Sequence, residues 1–243
     1  MRIVAIIQAR MRSTRLPGKV LKDLEGKTVL ARVLARTRRA STIGELVVAT
    51  SDGRADDVIV AECQRSQAKV FRGDEDDVLD RYYRAAQSFQ ADVVVRITSD
   101  CPLIDPEVVD KTVQKFLHAS PDYASNTLER TYPRGLDTEV VSMAALECAW
   151  REAAEPYQRA HVMPYVYQHP ERFKLLAVKG ENDYSDLRWT LDTEEDLQFL
   201  RAVYARFGGR DDFGWGEVLS LLEREPGLVE INRHVIQKAL HEG

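Results

Sequence analysis

Two nearly unbroken apolar segments, Ile3-Val4-Ala5-Ile6-Ile7 and Val93-Val94-Val95-Arg96-Ile97, constrain this 243-residue chain more than anything else in it. Side chains alternate sides along a strand, so a run that is apolar at every position is buried on both faces. The rest of the first half keeps the same rhythm. Residues 3–7, 46–50, 69–71 and 92–98 read as strands bounded by polar turns, and 29–39, 55–66, 78–89 and 106–118 have helical apolar spacing between them. Strand alternating with helix predicts an α/β fold with a mostly parallel sheet covered on both faces.

The rhythm breaks after about Asp122. A strand is expected over 136–142, a helix over 143–154, and strands returning to the sheet over 175–178 and 187–191. Thr193 with Asp196 forms a capping box that opens a helix over 193–207, and the tail from Gly214 has helical spacing. The expected organisation is one domain, 1–243, with an inserted segment at about 123–185.

The stretch QARMRSTRLPGKVL, residues 8–21, follows the first strand directly and carries Arg10, Arg12, Arg15 and Lys19. The chain as a whole is acidic, with a net charge of -5, which argues against a general nucleic-acid binder and makes these cations a local feature. In an open α/β sheet, ligands gather beyond the carboxyl ends of the strands, where this loop lies. Guanidinium forks and an ammonium beside Ser13 and Thr14 suit a polyphosphate, although charge alone also suits a solvated loop. The segment is neither a Walker A loop nor the glycine-rich dinucleotide fingerprint.

Phosphoryl transfer generally needs a divalent cation, and Mg²⁺ takes one or two carboxylates with water and phosphate. Asp100, after the strand at 92–98, and Asp192, before the capped helix, both stand where a strand gives way to a helix. Either could instead be a turn or cap aspartate, but Thr193 competes for the second cap.

Ser51 and Asp52 end the second strand on the ligand side, and Arg72 stands near the end of the third. The acidic run 74–77 complements the dipole of the helix that follows. Arg96 lies inside a strand and needs a partner if buried. In YPRGLDTEVV, residues 132–141, Arg134 is a natural partner for a carboxylate, and Asp137 and Glu139 suit sugar hydroxyls; alternation in a half-buried strand explains the pattern equally well. His161 is as readily structural as functional, and Trp189 reads as core. Three separated cysteines imply a reducing compartment. The first apolar run is too short for a signal segment or a membrane span, so a cytoplasmic protein is expected.

The opening stretch resembles the leading A-R-x-x-S-x-R-L-P-G-K motif of the sugar-acid cytidylyltransferases, matched by Ala9, Arg10, Ser13, Arg15, Leu16, Pro17, Gly18 and Lys19. Asp100-Cys101-Pro102 and Asp192-Thr193-Glu194-Glu195-Asp196-Leu197 resemble later elements of the same family, in the same order. The P-R-G-L-D-x-E element and the Q-A-R-M-x-S opening are most similar to the branch named for spore-coat polysaccharide biosynthesis. The resemblance implies a Rossmann-like fold of the nucleotide-diphosphosugar transferase type. It further implies a Mg²⁺-dependent transfer of CMP from CTP to a sugar acid for surface polysaccharide, and a homodimer. Gln8, Ala9, Arg10, Ser13, Arg15 and Lys19 would bind the nucleotide, with Ser51, Asp52 and Arg72 near the base. Arg10, Arg15, Lys19, Asp100 and Asp192 would be catalytic, Asp100 and Asp192 holding the metal. Arg134, Asp137, Glu139 and His161 would take the acceptor. Two departures, Ala160 where the branch has glutamate and Met163 where it has threonine, bear on acceptor identity. Alternative readings are a nucleotidyltransferase using GTP or a non-sugar acceptor, and a glycosyltransferase using a D-x-D motif at Asp74-Glu75-Asp76.

Overall fold

The computed structural model describes residues 1–238. The central strand is β1 (Ile3–Gln8), followed by a two-stranded ribbon, β2 (Asp23–Leu24) and β3 (Lys27–Thr28), and by α1 (Val29–Thr37). Then come β4 (Glu45–Ser51), α2 (Asp57–Arg65), β5 (Lys69–Gly73), α3 (Val78–Ser88), β6 (Val93–Thr98) and α4 (Pro106–Ala119). The main sheet runs β5-β4-β1-β6-β8-β7-β9, where β7 is Tyr123–Ser125, β8 Glu139–Ser142 and β9 Leu175–Ala177. β1, β4, β5 and β6 pair in parallel, and β8 is antiparallel to both of its neighbours. The sheet is mostly parallel, and its reversed strand lies where the sequence rhythm breaks.

The two faces explain the unbroken apolar runs. Val4 and Ile6 pack with α3 and with α5 (Met143–Glu152), while Ala5 and Ile7 pack beneath α1, α2 and α4. Two short helices, α6 (Pro156–His161) and α7 (Pro164–Tyr167), complete the first of these layers. A third core, with the fully buried Trp189 and Leu191, lies under α8 (Glu194–Arg206), α9 (Trp215–Arg224) and α10 (Gly227–Glu230). Segment 123–185 therefore supplies three strands to the same sheet. The helix expected from Gly214 is α9 and α10, and residues 239–243 of that expectation lie outside the described ones.

One expectation is corrected. Residues 187–191 do not join the sheet; they form only an isolated parallel bridge between Arg188 and Arg134. The Arg134 N–H donates to the Leu187 carbonyl and the Trp189 N–H to the Arg134 carbonyl, while the Leu191 N–H donates to the Asp100 carbonyl. The segment is apolar because it lines the third core, not because it is a sheet strand.

Candidate active site

The strands β1, β4, β5 and β6 all end at one edge, so the loops after Gln8, Ser51, Gly73 and Thr98 share it. Asp56 fixes the first of these loops. Its buried carboxylate accepts from the Met11 N–H at 2.8 Å, the Thr50 hydroxyl at 3.0 Å, and the Ser51 N–H and hydroxyl at 3.1 and 2.6 Å. Gly18 then turns the chain at φ +66°, and a short 3₁₀ turn over Lys19–Leu21 begins. That left-handed turn, which glycine adopts freely, directs Lys19 back toward the sheet edge.

The Lys19 ammonium meets three oxygens: Asp100 Oδ2 at 2.6 Å, Asp192 Oδ1 at 2.9 Å and the Leu191 carbonyl at 2.8 Å. Burial works against this ammonium, but Asp100 and Asp192 outweigh it and raise its pKa. The backbone explains the meeting of two carboxylates 92 positions apart in sequence, because the bond from Leu191 N–H to the Asp100 carbonyl pins Asp192 beside Asp100.

Asp192 also has a second wall. Its Oδ2 accepts from Arg15 at 2.9 Å and from Arg188 at 2.8 Å. Burial would raise its pKa, but Lys19, Arg15 and Arg188 together hold the carboxyl well below the usual range. Arg188 is itself buried and gripped by both oxygens of Asp196, at 2.8 and 2.9 Å. Asn232 donates to Asp196 and to the Arg188 carbonyl. Asp196 in turn completes the capping box of α8 by accepting from the Thr193 N–H. Arg188 is a neighbour of the candidate site that sequence reading missed. Its only signal is the arginine four residues before Asp192, beside an apolar run.

The remaining candidates for the nucleotide lie nearby with different commitments. Arg10 is exposed and makes no ion pair among the described residues, and Ser13 Oγ accepts from the Leu16 N–H at 3.4 Å. Ala9 is buried and its N–H donates to the Ala49 carbonyl; Gln8 accepts from Arg96 at 3.1 Å. The Ser51 hydroxyl is bound to Asp56, so it shapes the loop rather than presenting a free donor. Asp52 is exposed. Arg72 spends its guanidinium on the loop after β4, donating to the Ser51 and Gly53 carbonyls and to Asp57, so its present position is that of a clamp. The acidic run caps α3: Asp74 accepts from the N–H groups of Asp76 and Asp77, and Asp77 from that of Asp80.

Next to this edge is a cavity of about 450 Å³ lined by Arg96, Arg130, Arg134, Asp137, Glu139 and His161, among others. Two of its arginines are paired. Arg130 holds Asp137 through both oxygens at 2.6 and 2.9 Å, and Arg96 on β6 holds Glu139 directly across on β8. Glu139 also accepts from the Tyr123 hydroxyl at 2.6 Å, so both carboxylates brace the wall while keeping lone pairs for a hydroxyl. Arg134 has no carboxylate partner among the described residues. Burial, then Arg130 beside it, lowers its pKa from the ordinary arginine value, the mark of a cation short of an anion.

Hard oxygen ligands from two aspartates and a carbonyl, already drawn around one cation, suit Mg²⁺, which completes its shell with water and phosphate. No cluster of three or more histidine, cysteine or acidic side chains is placed to hold a metal among the described residues. No helix among them is long and apolar enough to cross a membrane.

Comparison with known proteins gives the family. The model of a family described as cytidylyltransferase matches residues 4–208. The chain is 35% identical to the spore coat polysaccharide biosynthesis protein SpsF of Bacillus subtilis, over 92% of this chain and 95% of that one. It is 33% identical to a 3-deoxy-manno-octulosonate cytidylyltransferase of Solibacter usitatus, over 83% of this chain and 82% of the relative. Among solved structures, a cytidylyltransferase from Leptospira borgpetersenii superposes with a TM-score of 0.91 at 32% identity, covering 98% of this chain and all of that one. With a cationic loop, two convergent aspartates and a match over most of its length, the chain belongs to the cytidylyltransferase family and is a nucleotidyltransferase of Rossmann-like fold.

Proposed function

We propose that the chain transfers CMP from CTP to a sugar acid and releases pyrophosphate, in the assembly of a surface polysaccharide. The observation that carries this reading is the adjacency of two unlike sites on one sheet edge: the oxygen cage around Lys19, and the cavity with the unpaired Arg134. Three guanidiniums face two carboxylates in that cavity, so an acceptor bearing one carboxylate restores its balance. The name of the Solibacter relative, a 3-deoxy-manno-octulosonate cytidylyltransferase, supports the same substrates, and that of the Bacillus relative supports a polysaccharide product.

An acceptor hydroxyl attacks the α-phosphorus, the bond to the β-phosphate breaks, and pyrophosphate leaves. Arg10, Ser13 and Arg15 hold the triphosphate, and Lys19 balances charge at the α-phosphate. Asp100 and Asp192 would hold Mg²⁺, which when bound neutralises charge developing on the phosphate oxygens. The protein's own contribution is placement of charge, and no covalent intermediate is needed. We place the enzyme in the cytoplasm as a homodimer, by analogy with the wider family.

The test is thermal melting with CTP, GTP, UTP or ATP, each with Mg²⁺ or with EDTA, followed by pyrophosphate release with candidate sugar acids. A ligand at about 100 times its Kd adds about 2.7 kcal/mol, a rise of roughly 5 to 10 °C for this length. A metal-dependent rise with CTP is expected; stabilisation by nucleotide-sugars only would replace the reading with glycosyl transfer. A second prediction concerns the acceptor. Arg134→Ala should raise the acceptor KM by about 100-fold, the loss of a charge-assisted pair, with CTP-induced melting shifts unchanged. An unaltered acceptor KM would remove Arg134 from recognition.

A further inference from the structure

We infer that Lys19 is a placeholder cation: without nucleotide its ammonium closes the metal site, and the triphosphate opens that site by drawing the ammonium away. This rests on the reading of Asp100 and Asp192 as metal carboxylates. An ammonium has three N–H donors, and Lys19 has given all three, to Asp100, Asp192 and the Leu191 carbonyl. In this arrangement it has no donor left for a phosphate. The same side chain cannot fill the cage and serve the nucleotide at one time.

A divalent cation arriving by itself must displace this ammonium, on a side chain only 14% exposed among its partners, and must then lie beside a displaced like charge. Arg15 and Arg188 already occupy the other oxygen of Asp192, so they hold the carboxylate in place without offering the lysine a new partner. A triphosphate supplies that partner. Once Lys19 turns to phosphate, Asp100 Oδ2 and Asp192 Oδ1 are uncovered with both charges intact. Only the flexible four-carbon stem needs to move, since Gly18 and the 3₁₀ turn fix the backbone below it. Metal and nucleotide therefore bind with positive coupling, each raising the affinity of the other by the same factor.

The probe is Mn²⁺, followed by the electron paramagnetic resonance of the free ion, with nucleotide-free wild type, Lys19→Met, Lys19→Gln and Lys19→Met/Asp100→Asn. Removing the ammonium should tighten Mn²⁺ binding by about tenfold or more, within the usual range of coupling between sites. The double variant should lose that gain, and all four proteins should first show cooperative melting. CTP should tighten Mn²⁺ binding to wild type by a larger factor than to Lys19→Met. Wild type, Lys19→Met and Lys19→Gln binding Mn²⁺ equally without nucleotide would overturn the inference. Turnover of Asp100→Asn separates the two ideas: loss of turnover there, with no gain of Mn²⁺ affinity in the Lys19 variants, rejects the placeholder and leaves the metal reading standing. Full turnover in Asp100→Asn rejects both.

Discussion

Asp100→Asn and Asp192→Asn should each lower turnover by about 10²- to 10³-fold, the usual cost of removing a group that holds charge in a transition state. Only the second should also weaken the fold. Asp192 is the meeting point of Lys19, Arg15 and Arg188, and an amide there leaves three cations facing a neutral group. Removing one partner of a buried pair costs 3–5 kcal/mol. The Asp192 side chain is 13% exposed, so about 2–3 kcal/mol is the reasonable figure after solvent screening, or roughly 5 to 10 °C in Tm. Asp100 is 22% exposed and pairs with one cation among the described residues, Lys19, which retains Asp192 and the Leu191 carbonyl. Its loss should stay within about 1 kcal/mol. Pyrophosphate release with CTP, beside calorimetry of each variant, checks both halves. Wild-type turnover in either variant would remove that aspartate from the metal site, and equal melting temperatures would mean that the arginines find other partners.

The sheet was legible because its signal is local. Ile3–Ile7 and Val93–Val95 are apolar at every position because helices cover both sides, and that requirement appears directly in the residue order. Thr193 and Asp196 announced α8 through the reciprocal bonds of a capping box. The segment 187–191 misled for a definable reason: burial against α8 and α9 gives the same apolar run as burial in a sheet, and periodicity does not say which neighbour supplies it. Three arginines show the same limit. Arg32, Arg36 and Arg81 stand on helices where a charge normally faces solvent, yet all three are buried: Arg32 and Arg36 bond to carbonyls of distant loops, those of Gly209 and Ile104, and Arg81 to the Asp74 carbonyl in the turn just before its own helix.

At the site, the motif residues carried the chemistry but not their partners. Lys19 was expected at a phosphate and stands between two carboxylates, because only the folded chain brings positions 100 and 192 together. Glu139 was expected at a sugar hydroxyl, and its register opposite Arg96 commits it first to that arginine. Arg72 was expected at the base and clamps the loop after β4. In each case a residue type suited to a ligand is first satisfied by the protein. Among the arginines that line the cavity, Arg134 has no carboxylate partner among the described residues, and for that reason it makes the most specific pointer to an acceptor.

Gly135→Ala should be among the most disruptive single substitutions in the chain, although it adds one methyl group. Gly135 sits at φ +113°, a conformation that side chains rarely adopt. A Cβ there would lie 2.6 Å from the Trp189 carbonyl carbon, 2.7 Å from its oxygen and 2.8 Å from the Thr190 nitrogen. All three are backbone atoms, so no side chain can rotate away. The bridge between Arg134 and Arg188 must open instead, and with it the bonds from the Arg134 N–H to the Leu187 carbonyl and from the Trp189 N–H to the Arg134 carbonyl. Overpacking costs about 1–3 kcal/mol and backbone strain a further 1–2 kcal/mol, giving about 3 kcal/mol or more and a fall of roughly 6 to 12 °C in Tm. The functional consequence reaches both sites at once. One side of this contact carries Arg134 and Asp137 into the cavity proposed for the acceptor, and the other carries Asp192 toward Asp100. In protein held well below its melting temperature, kcat and acceptor KM should therefore both deteriorate, unlike Arg134→Ala, which acts on the acceptor KM. A Gly135→Ala protein with wild-type Tm and kinetics would show that the close approach to Trp189 is not needed to hold the two sites in register.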